Sequence, residues 1–449
     1  YGWIGLAGST SFTDADYTPD ALDAPPEDRQ PFTGAGNYPA TAAFYQQRMV
    51  FANTTNVPEG AWGSRSTLRY NYMVSTPLQD DDAVTFKLLG REMNEIRYLL
   101  DIGRLVVFTR SGEWVIEGDS AGVLTPSAVN PRQHTSNGSG DKLAPIVVNG
   151  SALYVQARGS VIRDLGFEWE SQGYRGNELT IFASHLFDSY TLVDWAYQQI
   201  PHSVVWVVRS DGTLLGLTYV KEHEVFGWHK HTFYNGTVES VTTVPEDTED
   251  ALYLIIKRTV NSKVVRYIER LTTRQISNIV DAVFMDSALT YDGRTPYFGT
   301  NTYYVGLTMT LSGGTNWTYD EDLTLTSSSS FFTAAEVGNQ IIFTLADGSP
   351  IRCAINAYTS ATVVTVRANK TVPVELRSVA VAQTGFARAV DEVTGLWHLE
   401  GQNLSVLVDG YVSANPNDAS VGVKTVTNGT ITFADPHAVI HAGLPITAD

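Results

Sequence analysis

Three of the chain's nine histidines and two glutamates fall within eleven residues, KEHEVFGWHKH at 221–231, a density that could ligate a metal ion. In an extended stretch, residues two apart share a face. Glu222, Glu224, Phe226, Trp228 and Lys230 then lie on one side, and His223, Val225, Gly227, His229 and His231 on the other. His229 and His231 could chelate a cation together. The zinc-protease spacing H-E-x-x-H is not met, because His223-Glu224 is followed by Val225, Phe226 and Gly227, and that motif needs a helix to bring its imidazoles to one face. Nothing nominates a third ligand, so the expectation is a strand with a polar rim and no metal.

Other clusters are weaker still. Asp80-Asp81-Asp82 precedes the apolar run AVTFKLL; successive carboxylates on a strand point to opposite faces and do not converge, so a solvated strand edge is expected. Asp14, Asp16, Asp20 and Asp23 lack the glycine and closing glutamate of a calcium loop. No G-x-S-x-G, phosphate-binding loop or dinucleotide fingerprint occurs. With 48 acids, a glycosidase pair of carboxylates could form in the fold without any local signal. The reading is of no catalytic, cofactor-binding or metal-ligating set.

The elements that position these residues look like strands. Aromatics make up 11% of the chain and recur beside Val, Ile and Thr, residue types that suit a pleated surface. In LVVFTRSGEWVIEG (105–118) two apolar runs flank Arg110-Ser111-Gly112, a hairpin connection; Asn149-Gly150 and Asp409-Gly410 are pairs that type I′ turns favour, since both central residues need positive φ. The segment 203–247 reads as four successive strands, with 225–231 as the third. Units of four short strands without long helices are the pattern of propeller blades. The expected fold is therefore all-β, a β-propeller of four-stranded antiparallel blades at 43–293. An arm at 1–42 precedes it, an inserted small β domain occupies 294–393, and a C-terminal segment at 394–449 returns to the main domain. One helix is expected near 274–286, where Ile276, Ile279, Val280 and Val283 recur at helical spacing.

Composition narrows the function. The net charge is −18, which disfavours a grip on phosphate backbones, because that needs clustered cations, but suits a passage wall that repels DNA. The lone Cys353 excludes an internal disulfide or a cysteine-based zinc site. No window approaches the roughly 20 apolar residues of a bilayer span, so no membrane anchor is expected. The chain starts at Tyr1 without methionine, as a processed product or fragment would.

The ordered phrases AFYQQRMVFAN (43–53), WGSR (62–65), PLQDDDAVTF (77–86), RLVVFTRSGEWVIEG (104–118), AYQQIPHSVVWVVRSDGTLLGLTYVKEHEVFGWHKH (196–231), VRYIERL (265–271), DSALTYDG (286–293) and TGLWHLEGQNLSVLVDG (394–410) resemble the nozzle, or tail tubular protein B, family of short-tailed phages. The inserted segment, through FTAAEVGNQIIFTLADGSPIRCAINAYTSATVVTV, is similar to the small FCCH-type domain found in such proteins. The resemblance implies a non-enzymatic virion protein of the phage tail: a hexameric ring below the tail adaptor ring, in contact with tail fibres or spikes. Genomic DNA would leave through its lumen without sequence-specific binding. It implies no cofactor. The lumen wall is then expected to carry net negative potential. Two competing readings are a host-glycan-binding module, with Trp317 and Tyr319 as exposed aromatics, and a tail-associated glycoside hydrolase.

Overall fold

The structure is a computed structural model. It describes residues 30–446 apart from 91, 295–296, 299–301, 304–305 and 419, together with Thr10 and the strand Ala24–Glu27. The carboxylates Asp14, Asp16, Asp20 and Asp23 lie outside the described residues, as does most of the arm. The chain divides into two compact units, one of residues 1–232 and 238–255, the other of 233–237 and 256–449.

The fold is all-β and propeller-like. In the first unit four antiparallel four-stranded sheets follow one another. The first holds Thr41–Tyr45, Arg48–Ala52, Gly60–Gly63 and Val84–Lys87, and the second Ile96–Asp101, Leu105–Thr109, Glu113–Glu117 and Asn130–Thr135. The third holds Ile146–Val148, Ser151–Val155, Ile162–Glu168 and Gly173–Arg175, and the fourth Leu192–Gln198, Val204–Arg209, Leu214–Val220 and Val225–His231. Each strand pairs with the next, as in an up-and-down meander.

Face-to-face packing of successive sheets explains the apolar runs. Leu105–Thr109 and Val204–Arg209 are buried at every position, which a strand covered on both faces requires. Leu105 and Val107 join Val50, Ala61 and Phe86 of the first sheet, whereas Val106 and Phe108 meet Ala152, Tyr154 and Leu165 of the third. On its other face the third sheet sends Leu153 and Ile162 against Trp195, Val205, Val207 and Leu217 of the fourth. The hairpin turns match their residues: Asn149 and Gly150 both have positive φ, at 48° and 74°.

Three expectations are corrected here. The stretch 225–231 is the fourth, outer strand of its sheet and not the third of a run at 203–247, because Leu192–Gln198 opens that sheet and Gly236–Glu246 begins the next. No helix spans 274–286; a single 3-10 turn, Ile279–Asp281, is capped by Asn278, whose side chain accepts from the Val280 amide, and Met285–Asp292 is a strand. Branched residues lose side-chain freedom in a helix, and this segment has no buried face to offset that loss. Asp82, expected at a solvated edge, is fully buried.

In the second unit, Met285–Asp292 pairs with Val439–Pro445, which pairs with Asn403–Val408. An eight-stranded sheet holds, in order, Ala380–Ala382, Thr308–Ser312, Leu323–Ser327, Val363–Ala368, Pro350–Ser360, Gln340–Thr344, Phe386–Thr394 and Thr430–His437. Its core includes Leu325, Phe343, Ile351, Val364 and the buried Cys353. Burial pushes the Cys353 thiol up to about 12, so it packs as a small hydrophobe.

Candidate functional site

The histidine-rich stretch folds as a short turn, Lys221–His223, then Glu224 in the left-handed region at φ 55°, then the outer strand. Its two faces carry different partners. Phe226 packs on Tyr219 and Trp228 on Phe187, with Trp228 Nε1 donating to the Leu179 carbonyl at 2.8 Å. On the opposite face His229 and His231 lie 2.7 Å apart, Nδ1 to Nε2, sharing one hydrogen bond above the buried Trp206. The pairing places His229 opposite Gly216, where a Cβ would fall 2.1 Å from the His229 ring. A glycine is therefore needed beneath the imidazole. Among the described residues no group of three or more His, Cys, Asp or Glu is placed to hold a metal ion.

Lys221, at the start of the stretch, reaches back to the third sheet. Its Nζ donates to Ser151 Oγ at 2.7 Å and lies 3.7 Å from Asp164 Oδ2, which also accepts from the Tyr219 hydroxyl at 3.2 Å. Through these contacts the group ties the third sheet to the fourth. Gly166 makes room for it, since a Cβ there would sit 3.0 Å from both Lys221 Nζ and Ser151 Oγ.

The Asp80–Asp82 run does similar work within the first sheet. Arg48, buried, donates from Nη1 to the carbonyls of Ser64 and Asp82 at 2.8 and 2.5 Å, and from Nη2 to that of Asp80 at 2.8 Å. The Asp82 carboxylate accepts from the Ser75 and Gln79 amides at 2.9 and 2.8 Å. Acids recur in this role. Asp250 accepts from Gln199 and Ile200, Asp194 from Val241, Glu321 from Asn316 and Trp317, and Glu400 from Asn428 and Gly429. Many carboxylates that composition alone would place on a charged surface are thus turned onto backbone amides.

Carboxyls with raised pKa values are the signal of a general acid. Glu113 is one: it is 0% exposed, and burial pushes it up to about 6 against the opposing pull of the Thr135 hydroxyl, the Asn137 amide and Arg163. Oε2 accepts from Thr135, while Oε1 has no hydrogen-bond partner of normal geometry. A carboxyl sealed between the second and third sheets has no access to a polysaccharide. Its effect falls on stability. The folded pKa lies above the ordinary value of 4.5, so the contribution is fully present below that value and lost as pH rises through about 6. Glu113→Gln is expected to gain about 2 kcal/mol on the parent chain between pH 4.5 and 7. Urea unfolding of both proteins across that range checks it; a constant difference would contradict it.

In the second unit burial raises Asp286, and the nearby Glu269 is held by Arg258 at 2.7 and 3.1 Å. A raised acid beside a second carboxyl is a pairing of the kind that glycosidases use. The surrounding contacts are structural: Arg258 Nη2 donates to Ser287 Oγ at 3.0 Å, and His398 Nε2 donates to the Ser287 carbonyl at 2.9 Å. His441 is likewise satisfied, donating from Nε2 to the Val280 carbonyl and accepting the Thr290 hydroxyl at Nδ1.

The two aromatics of the inserted segment separate. Trp317 is 9% exposed and belongs to the core, with Arg377 over its ring, so it is not an exposed ligand platform; its indole fills the space above Gly314. Tyr319 is 66% exposed. The feature that sequence reasoning missed is a cavity of about 420 Å³ in the first unit, lined by Gln30, Phe32, Phe51, Tyr70, Asn71 and Tyr72 among others. The run Tyr70-Asn71-Tyr72 was its one local signal.

No known family profile matches the chain, and no curated protein matches it. Among solved structures it is similar to a luciferin-regenerating enzyme, with 10% identity, 74% of this chain and 91% of that chain covered, and a TM-score of 0.29. A likeness at that score carries no argument about fold or activity.

Proposed function

We propose that this chain is a structural component of a phage tail, of the nozzle or tail tubular protein B kind, and builds a channel through which DNA leaves the virion. The observation that carries this reading is the ordered set of phrases, of which those between 43 and 231 fall on four successive four-stranded sheets stacked through apolar faces. Support comes also from the treatment of charge. Carboxylates spent on backbone amides brace the sheets, and the net charge of −18 leaves a surface that repels a polyanion and so lets it pass. The chain works in this reading by assembly with copies of itself and with an adaptor ring, and needs no cofactor.

The mass of the assembled species tests it. Light scattering on the size-exclusion peak, with and without the tail adaptor protein, is expected to give a ring of six copies of the 49.1 kDa chain. A monomer under both conditions would sink the reading.

A further inference from the structure

We propose that His134 is an acid-sensitive clasp at the seam between the second and third sheets, closed by the neutral imidazole and opened by its protonation. The ring belongs to Asn130–Thr135, an outer strand of the second sheet, which lies against Gly173–Arg175, an outer strand of the third. An outer strand carries amides that no neighbouring strand accepts. Tyr174 donates its amide hydrogen to His134 Nδ1 at 3.0 Å, so a side chain of one sheet closes the open edge of the other.

The direction of that bond fixes the state of the ring. A backbone N–H only donates, so Nδ1 is unprotonated and the single proton of the neutral imidazole sits on Nε2. Nε2 is buried and has no hydrogen-bond partner among the described residues. A second proton, at Nδ1, would face the Tyr174 amide hydrogen, break the bond and leave both ring N–H groups and the amide unpaired in a closed seam. The fit leaves little room to turn away. The His134 and Tyr174 rings meet edge-on with centroids 5.9 Å apart, and a Cβ on Gly173 would sit 3.2 Å from Nδ1. Tyr174 is itself held in the core, its hydroxyl donating to the Ile102 carbonyl at 3.2 Å.

The charges around the ring agree with a switch that opens in acid. Burial holds the imidazole below its ordinary 6.5, opposed by Glu117 on the paired strand and helped by Arg132 on its own. Across the seam Arg175 is exposed, and Glu168, opposite Gly173, accepts from the Ser171 hydroxyl. Tyr45, Asp101 and Arg104 act on the Tyr174 hydroxyl. With a folded pKa below the unfolded one, the contribution of the clasp is fully present above 6.5 and lost as pH falls through the folded value. Glu113, opposite Thr135, has the reverse sign, since its contribution is greatest in acid, and it cannot cause a loosening there.

Hydrogen exchange of the full chain, read by mass spectrometry at about pH 7.5 and about pH 5 and corrected for intrinsic rates, tests the proposal across the range in which a histidine titrates. Protection of 173–175 is expected to fall roughly tenfold on acidification, with 105–109 still protected. His134→Asn places an amide oxygen near the position of Nδ1 and does not titrate, so its protection at 173–175 should be the same at both pH values. His134→Ala, which removes the acceptor, should show the faster exchange already at the higher pH. The proposal is overturned if the parent keeps its protection in acid, if the asparagine variant loses it as the parent does, or if the alanine variant is as protected as the parent at the higher pH. Opening of 105–109 in step with 173–175 would make the loosening global and also overturns it.

Discussion

Arg48→Met is expected to destabilise the first unit by at least about 3 kcal/mol, because each buried carbonyl left without its partner costs about 1–3 kcal/mol. The guanidinium holds the backbone oxygens of Ser64, Asp80 and Asp82 and reaches that of Asp81 at 3.2 Å. Methionine fills similar space and donates nothing, so packing is largely kept while the bonds are lost. Arg48→Lys keeps the charge, but a single ammonium cannot span acceptors on two segments, and it should recover less than half of the loss. Urea unfolding followed by tryptophan emission reads both variants. A cost below about 1 kcal/mol for the methionine variant would mean that water replaces the guanidinium and that the Asp80–Asp82 loop is not built around it.

The second large effect concerns Arg258 and Glu269, and its order is set by exposure. The Arg258 side chain is 0% exposed and that of Glu269 24%. Removing the glutamate strands a buried guanidinium without its counter-charge, for which about 3–5 kcal/mol is the expected cost. Removing the arginine leaves a carboxylate that can reach water, together with the lost bonds to the Tyr234 carbonyl and Ser287 Oγ, a cost of about 2 kcal/mol. Glu269→Leu should therefore be the worse of the two single changes, and the double variant Arg258→Met with Glu269→Leu should be milder than Glu269→Leu alone. Thermal unfolding of the three variants decides the order. Equal costs, or a worse arginine variant, would show that the guanidinium acts through its neutral partners and not through the ion pair.

Much of the sheet pattern was legible because it rests on local chemistry. Asn149-Gly150 and Asp409-Gly410 mark turns through the positive φ that both positions adopt. LVVF and VVWVV mark strands covered on both faces, since only there does alternation disappear. Within 225–231 the two faces also followed from period two, with Phe226 and Trp228 on one side and His229 and His231 on the other, whereas Glu222, His223 and Glu224, expected on those faces, lie in the turn before the strand.

The rest depended on contacts that sequence does not encode locally. Asn235-Gly236 resembles a hairpin turn, yet Gly236–Glu246 opens the next sheet; which strand a turn delivers is decided by packing across sheets. Asp82 reads as a solvated acid until the Ser75 and Gln79 amides close on it. Trp317 reads as exposed until Leu323 and Gly314 pack against it. The helical spacing at Ile276–Val283 gave way to one capped turn, where Asn278 accepts from Val280. The aromatic cavity joins residues near 31, 51 and 71, separations across which no spacing rule operates.

Electron microscopy of the purified chain mixed with its tail adaptor protein tests the tail-tube reading most directly. Ring-shaped particles with an open central channel, stacked on the adaptor ring, are the predicted result; isolated single copies, with the adaptor ring bare, would contradict it.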